Sequence, residues 1–193
     1  MSHDPSKTSH YINDEFYKNL NFWFSDWQRH ENEISKPAVR DELRIFLERE
    51  ARLLDDGLHT DWLSLYAPEC LYWVPASMGG GDPRSEVATA FDDRRRLEDR
   101  IHRLGSDYAW SQQPASRTNR VVSNVVGFTT PNRNIVMTRA NFLITEFQAG
   151  DFRTWAGWYG HRLYRSRSTW EIVVKQVNLI NYDQNLRNPS ITL

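Results

Sequence analysis

The chain of 193 residues has a single cysteine, Cys70, and that scarcity excludes a good deal. No intrachain disulfide can form, so a secreted scaffold held by disulfides is ruled out. A [2Fe–2S] centre on two cysteines and two histidines, or a cysteine-rich zinc site, needs more sulfur than this. Cys70 sits in the apolar, strand-like run Glu69-Cys70-Leu71-Tyr72-Trp73-Val74, which suits a buried, inert thiol. An excess of one charge is lacking too. The 24 basic and 25 acidic residues give a net charge of −1, so no global field draws in nucleic acid or anionic lipid. The basic run Arg94-Arg95-Arg96 is flanked by Asp92, Asp93, Glu98 and Asp99 and reads as a solvated helix face. No apolar run approaches the length of a membrane span, and Met1 to His10 has no apolar stretch like that of a signal peptide. A cytoplasmic chain is expected. Gly79-Gly80-Gly81 lacks the following residues of a phosphate cradle, and there is no nucleophile elbow.

Aromatic side chains are what the sequence has in plenty. Eight tryptophans, nine phenylalanines and eight tyrosines fall within an apolar content of 39%, enough for one core. Such an excess suits a packed interior and a protein interface equally. Phe16, Leu20, Trp23, Phe24 and Trp27 recur at helical spacing and predict an amphipathic helix from Asn13 to about Glu31. Residues 1–35 are expected to form an N-terminal extension carrying that helix, and residues 36–193 the main domain. A second helix starts near Ser35 and Pro37, carries Val39, Leu43, Phe46, Leu47, Glu50 and Leu54 on one stripe, and stops at Gly57. Thr60 or Asp61 is expected to cap a short third helix, Leu71 to Ala76 to form a strand, and Leu97, Ile101 and Leu104 to mark a helix ended by Gly105. The last third turns to strands: Arg120–Thr129, Ile135–Phe147, Phe152–Tyr164 and Thr169–Asn181, joined by short turns. Strands this long predict a strongly curled antiparallel sheet, and the order of elements an α+β fold with helices on one face.

The stretch Pro114-Ala115-Ser116-Arg117-Thr118-Asn119-Arg120-Val121-Val122-Ser123-Asn124 is the most distinctive. Pro114 imposes an extended approach, Ser116 and Thr118 can bond nearby backbone, and the valines favour a strand. It resembles a pattern of the small (β) subunits of aromatic-ring-hydroxylating, Rieske-type dioxygenases. Further blocks resemble the same family in the same order: Arg49 to Asp55, Trp62-Leu63, Leu71 to Pro75, Leu97 to Leu104, Ala109-Trp110, Val177 to Asp183 and Asn188 to Leu193. The resemblance covers roughly residues 40–193. Departures are Ala115 where the family has a second proline, Asn119-Arg120 where arginine–histidine is common, and a longer aromatic N-terminal helix. Leu97-Glu98-Asp99-Arg100, Ala156-Gly157-Trp158 and Leu179-Ile180-Asn181 lean towards the benzoate- and anthranilate-type members.

The resemblance implies an NTF2-like cone and a noncatalytic subunit that stabilises an α3β3 hexamer. The partner large subunit would hold the Rieske [2Fe–2S] cluster and a mononuclear Fe(II), and a ferredoxin and reductase would act through it. No cofactor or metal is expected in this chain, and no nucleic acid or membrane among its partners. Of the six histidines, none is spaced with a carboxylate as iron ligands on one helix would be. Arg117 leads the expected interface residues because its fork suits carboxylates or carbonyls across subunits; an intrachain anchor for the strand is the other reading. Trp110, Asn124 and Asp183 follow. The alternative function is a stand-alone cone-fold isomerase or dehydratase with a cavity carboxylate or histidine as general base, drawn from Asp55, Tyr72, His102 and His161. Each has a plain structural reading as well: Asp55 at a helix end, His102 paired with Glu98 or Asp99, His161 as a satisfied histidine among aromatics.

Overall fold

The computed structural model describes residues 12–105, 114–167, 169–184, 188 and 191–193. Helix α1 spans Asp14–Phe24, with the Asn13 side chain accepting from the Phe16 N–H at 2.9 Å. It ends well short of the expected Glu31. Asp26 takes a left-handed φ of 50°, and Arg29 Nε donates back to Asp26 Oδ2 at 2.8 Å, so the chain turns away. Trp27 therefore packs from a loop, 5.4 Å from the Phe128 ring. Helix α2 spans Pro37–Asp55 with proline in its first turn and stops where Gly57 adopts a φ of 68°. Helix α3, His59–Leu63, has Leu58 at its N-cap position and no side-chain cap, so neither Thr60 nor Asp61 does what was expected of it. Helix α4, Arg94–Leu104, is capped by Asp93, which accepts from the Arg96 N–H at 3.0 Å. Arg94 is not part of a solvated face: its guanidinium donates to the carbonyls of Leu63 and Tyr66, both at 3.1 Å, and to Glu98.

Six strands form one sheet: β1 Tyr66–Pro75, β2 Ala88–Asp93, β3 Arg117–Thr129, β4 Ile135–Gln148, β5 Asp151–Ser166 and β6 Thr169–Leu179. Their order is β2-β1-β6-β5-β4-β3. The four-strand meander is as expected, but the sheet is mixed, because β1 joins β6 in parallel. β2 escaped the sequence pattern. Its six residues include Asp92 and Asp93, which carry no strand preference.

The helices also lie on both faces of the sheet, not on one. Alternation along β1 makes this plain: Cys70, Tyr72 and Val74 join a core with Leu43, Phe46, Leu47 and Trp62, whereas Leu71 and Trp73 pack with Phe16 and Leu20 of α1. The aromatic N-terminal helix thus covers the outer face of β1 and β6. Close approach of β5 and β6 requires Gly157, where an added Cβ would sit 2.0 Å from the Asn178 carbonyl oxygen. No described helix is long and apolar enough to cross a membrane.

Candidate functional site

Three polar clusters tie the elements together. The deepest centres on Glu50, which lies on the apolar stripe of α2 and is 2% exposed. Its Oε1 accepts from Trp62 Nε1 at 3.1 Å and from Lys175 Nζ at 2.8 Å, and its Oε2 lies 3.2 Å from His161 Nε2. Burial alone would raise the carboxyl; the Lys175 charge and the His161 bond reverse this and hold it well below the usual range. Burial depresses both His161 and Lys175, against the pull of Glu50. We assign a neutral His161 protonated on Nε2, which leaves the buried Nδ1 without a partner. Lys175 also sits 4.3 Å over the Tyr159 ring. The cluster joins α2, α3, β5 and β6.

The second cluster lies where β3 begins. Asp55, at the end of α2, accepts from Thr118 Oγ1 at 2.8 Å and from the Arg120 N–H at 2.8 Å, and pairs with the Arg120 guanidinium. The same guanidinium reaches the Thr192 carbonyl near the end of the chain. A cavity of about 150 Å³ opens here, lined by Asp55, His59, Ser116, Thr118, Arg120 and Thr192 among others. In the third cluster, Glu146 accepts from Ser116 Oγ and Asn188 Nδ2, both at 2.6 Å, and from Trp155 Nε1 at 3.0 Å.

Together these contacts account for the 114–124 stretch residue by residue. Ser116, Thr118 and Arg120 point inward on alternate positions and are intrachain anchors. Arg117 faces outward, exposed, with its guanidinium 4.6 Å over the Phe147 ring. Asn124 is exposed at a β-bulge and has a left-handed φ of 52°, a conformation asparagine tolerates better than most residues. Asp183 is exposed, and Trp110 lies outside the described residues.

The four alternative cavity residues are not brought together. Asp55 is held by Arg120 and lines the smaller cavity. Tyr72 accepts at its hydroxyl from the Leu193 N–H at 2.9 Å, and burial raises its pKa to about 12. His102 is exposed on α4, and His161 is wholly buried against Glu50. The sequence reading passed over Glu50, Arg120, Glu146 and Lys175 as site residues. A glutamate on an apolar stripe was the available signal for the first. Among the described residues no three or more His, Cys, Asp or Glu side chains are grouped to hold a metal ion. Cys70 is buried, its thiol pushed up to about 12 by that burial, and does not fit as a cluster ligand.

Among the described residues, a mixed sheet with helices on both faces, tied together by three intrachain polar clusters, defines a fold. The family model described as "Ring hydroxylating beta subunit" matches residues 49–183, more than half of the chain. The chain belongs to the ring-hydroxylating dioxygenase β-subunit family. It is 38% identical over 97 residues to the toluate 1,2-dioxygenase subunit beta of Pseudomonas putida, covering 48% of this chain and 57% of the relative. It is 31% identical over 144 residues to the small oxygenase component of the p-cumate 2,3-dioxygenase system of Pseudomonas putida, covering 72% and 78%. The chain spans little more than half the length of its benzoate-type relatives. Among solved structures, naphthalene 1,2-dioxygenase with indole bound matches with a TM-score of 0.72, at 16% identity, over 94% of this chain and 95% of that one. At that identity the likeness speaks for the fold alone.

Proposed function

We propose that this chain is the noncatalytic small subunit of the terminal oxygenase of a multicomponent aromatic-ring-hydroxylating dioxygenase, working in the cytoplasm. Its place would be a hexamer of three large and three small subunits, with the small chains around the three-fold axis. The large subunit would carry the Rieske cluster and mononuclear iron and receive electrons from a ferredoxin and reductase. The small subunit would hold large subunits in register, so that electrons cross from the cluster of one to the iron of its neighbour. An aromatic acid or amine substrate fits the lean towards benzoate- and anthranilate-type members.

The observation that carries this reading is a bare stripe on the outer face of β3, β4 and β5. Arg117, Phe147 and Phe152 are successive cross-strand neighbours, as are Val121, Leu143 and Ala156. Phe152 is 71% exposed, Val121 52% and Leu143 45%. Aromatic and aliphatic side chains with one arginine are the composition of an interface centre. Asn124 and Asp183 would lie at its margin. In this reading residues 1–35 are an extension to the 36–193 domain, and its helix α1 packs on the sheet. The strong curl of the long strands belongs to it too, since bulges in β3 and β6 supply bends.

A cone-fold enzyme reading would rest on neutral His161 with its bare Nδ1. That histidine is 0% exposed, is held 3.2 Å from Glu50 and lines neither of the two cavities, which weighs against this reading. Purified alone, the chain is expected to bind no iron and to turn over no arene. Iron in stoichiometric amount, or turnover without a partner, would overturn the assembly role.

A further inference from the structure

The larger cavity, about 260 Å³, lies on the outer face between the end of α1, the β3–β4 turn and β5. Phe22, Trp23, Trp27 and Met137 give it apolar walls, and Arg162 is the only charged residue lining it among the described residues. Arg162 is 8% exposed. Its guanidinium lies 4.1 Å over the Trp23 ring, and its one hydrogen-bond contact is a weak one to Met137 Sδ at 3.8 Å. No carboxylate pairs with it among the described residues, and its Nε is buried without a partner. Burial pulls its pKa down to about 10, with no acid to restore it, yet the group stays charged at neutral pH.

A buried cation without a counter-ion is costly, and every other buried cation described here has an acidic partner. Nearby polar groups do not answer the charge. Thr129 Oγ1 donates to the Asn32 carbonyl, and Thr130 Oγ1 to the Asn132 or Ile135 carbonyl. A guanidinium stacked on tryptophan still presents its edge, and an edge of N–H donors matches a carboxylate in two-point contact. Ligand cavities run from about 300 Å³ upward for drug-sized molecules, so this one suits a single ring. We propose that Arg162 and the aromatic walls of this cavity form a binding site for a single-ring carboxylate. The site lies apart from the Arg117 stripe, and its occupancy does not depend on the assembly role.

Benzoate is the probe, titrated calorimetrically into the full chain. Saturable binding at one site is expected, weakened at least about tenfold in Arg162→Met and held closer to the natural affinity in Arg162→Lys. Benzyl alcohol, which keeps the ring and loses the charge, should bind at least about tenfold more weakly to the unaltered chain. Absence of benzoate binding, equal binding by Arg162→Met, or equal affinity for benzyl alcohol would each overturn the site. The chain co-purified with its large subunit should carry one more benzoate per small chain than its Arg162→Met counterpart. Equal stoichiometry there, with binding by the isolated chain, would mean that a partner side chain fills the cavity and would overturn the small-molecule proposal.

Discussion

Glu50→Ala is expected to destabilise the fold by about 3–5 kcal/mol, because it leaves Lys175 charged in an apolar interior. Lys175 is 1% exposed and has Glu50 as its only anionic partner among the described residues, so no second acid stands ready to take over. Trp62 Nε1 and His161 Nε2 lose their acceptor in the same step. For a chain of this length the loss should lower the melting temperature by roughly 10 °C. Glu50→Gln keeps the shape but not the charge and should be nearly as costly. Adding Lys175→Met to Glu50→Gln should recover much of the loss, since removing both charges of a buried pair is far cheaper than removing one. Thermal and urea denaturation of the three variants checks this. Equal stability of Glu50→Ala and the unaltered chain would deny the cluster its role.

The same cluster sets the acid response. His161 is depressed in the folded chain, so below its ordinary value of about 6.5 the unfolded chain takes the proton first and stability falls. Glu50 is depressed too. Its contribution is fully present above about 4.5 and is lost as the pH drops towards its lower folded value. The melting temperature should decline from about pH 6.5 downward, and His161→Gln should flatten the first part of that decline. A curve level between pH 7 and pH 5 would contradict the assignment of a neutral His161.

Arg120→Met is the second large effect, about 2–4 kcal/mol. The Arg120 side chain is 3% exposed and Asp55 17%, so water relieves the stranded carboxylate only in part. Arg120 also holds the Thr192 carbonyl, next to Leu193, whose N–H reaches Tyr72. Hydrogen exchange should therefore quicken at residues 191–193 as well as at the start of β3. Arg117→Ala, three residues away but facing outward, should change stability by less than about 0.5 kcal/mol while weakening assembly. If both variants behaved alike, the inward–outward division of the 114–124 stretch would be wrong.

Periodicity carried the sequence a long way. Leu43, Phe46, Leu47 and Leu54 marked the buried stripe of α2, and the turns at 130–134 and 148–151 placed the meander within a few residues. What escaped was set by long-range geometry. Lys175 reaches the interior because of a bulge in β6: Arg162 pairs with Val174 but Leu163 pairs with Ile172. That extra residue reverses the alternation, and no local pattern announces it. The parallel pairing of β1 with β6 joins residues about a hundred positions apart and was equally silent. Arg120 looked like a departure from the family pattern, yet it closes the gap between α2 and the chain end. The placement of α1 on the opposite face was legible only in hindsight, since an aromatic stripe does not say which face it covers.

Co-expression with the large subunit and measurement of the native mass tests the assembly role most directly. A single species with three copies of each chain is the expected result, and it should weaken when Arg117 and Leu143 are both replaced by aspartate. Separate elution of the two chains, or a hexamer indifferent to that double substitution, would contradict the role proposed for the bare stripe of β3, β4 and β5.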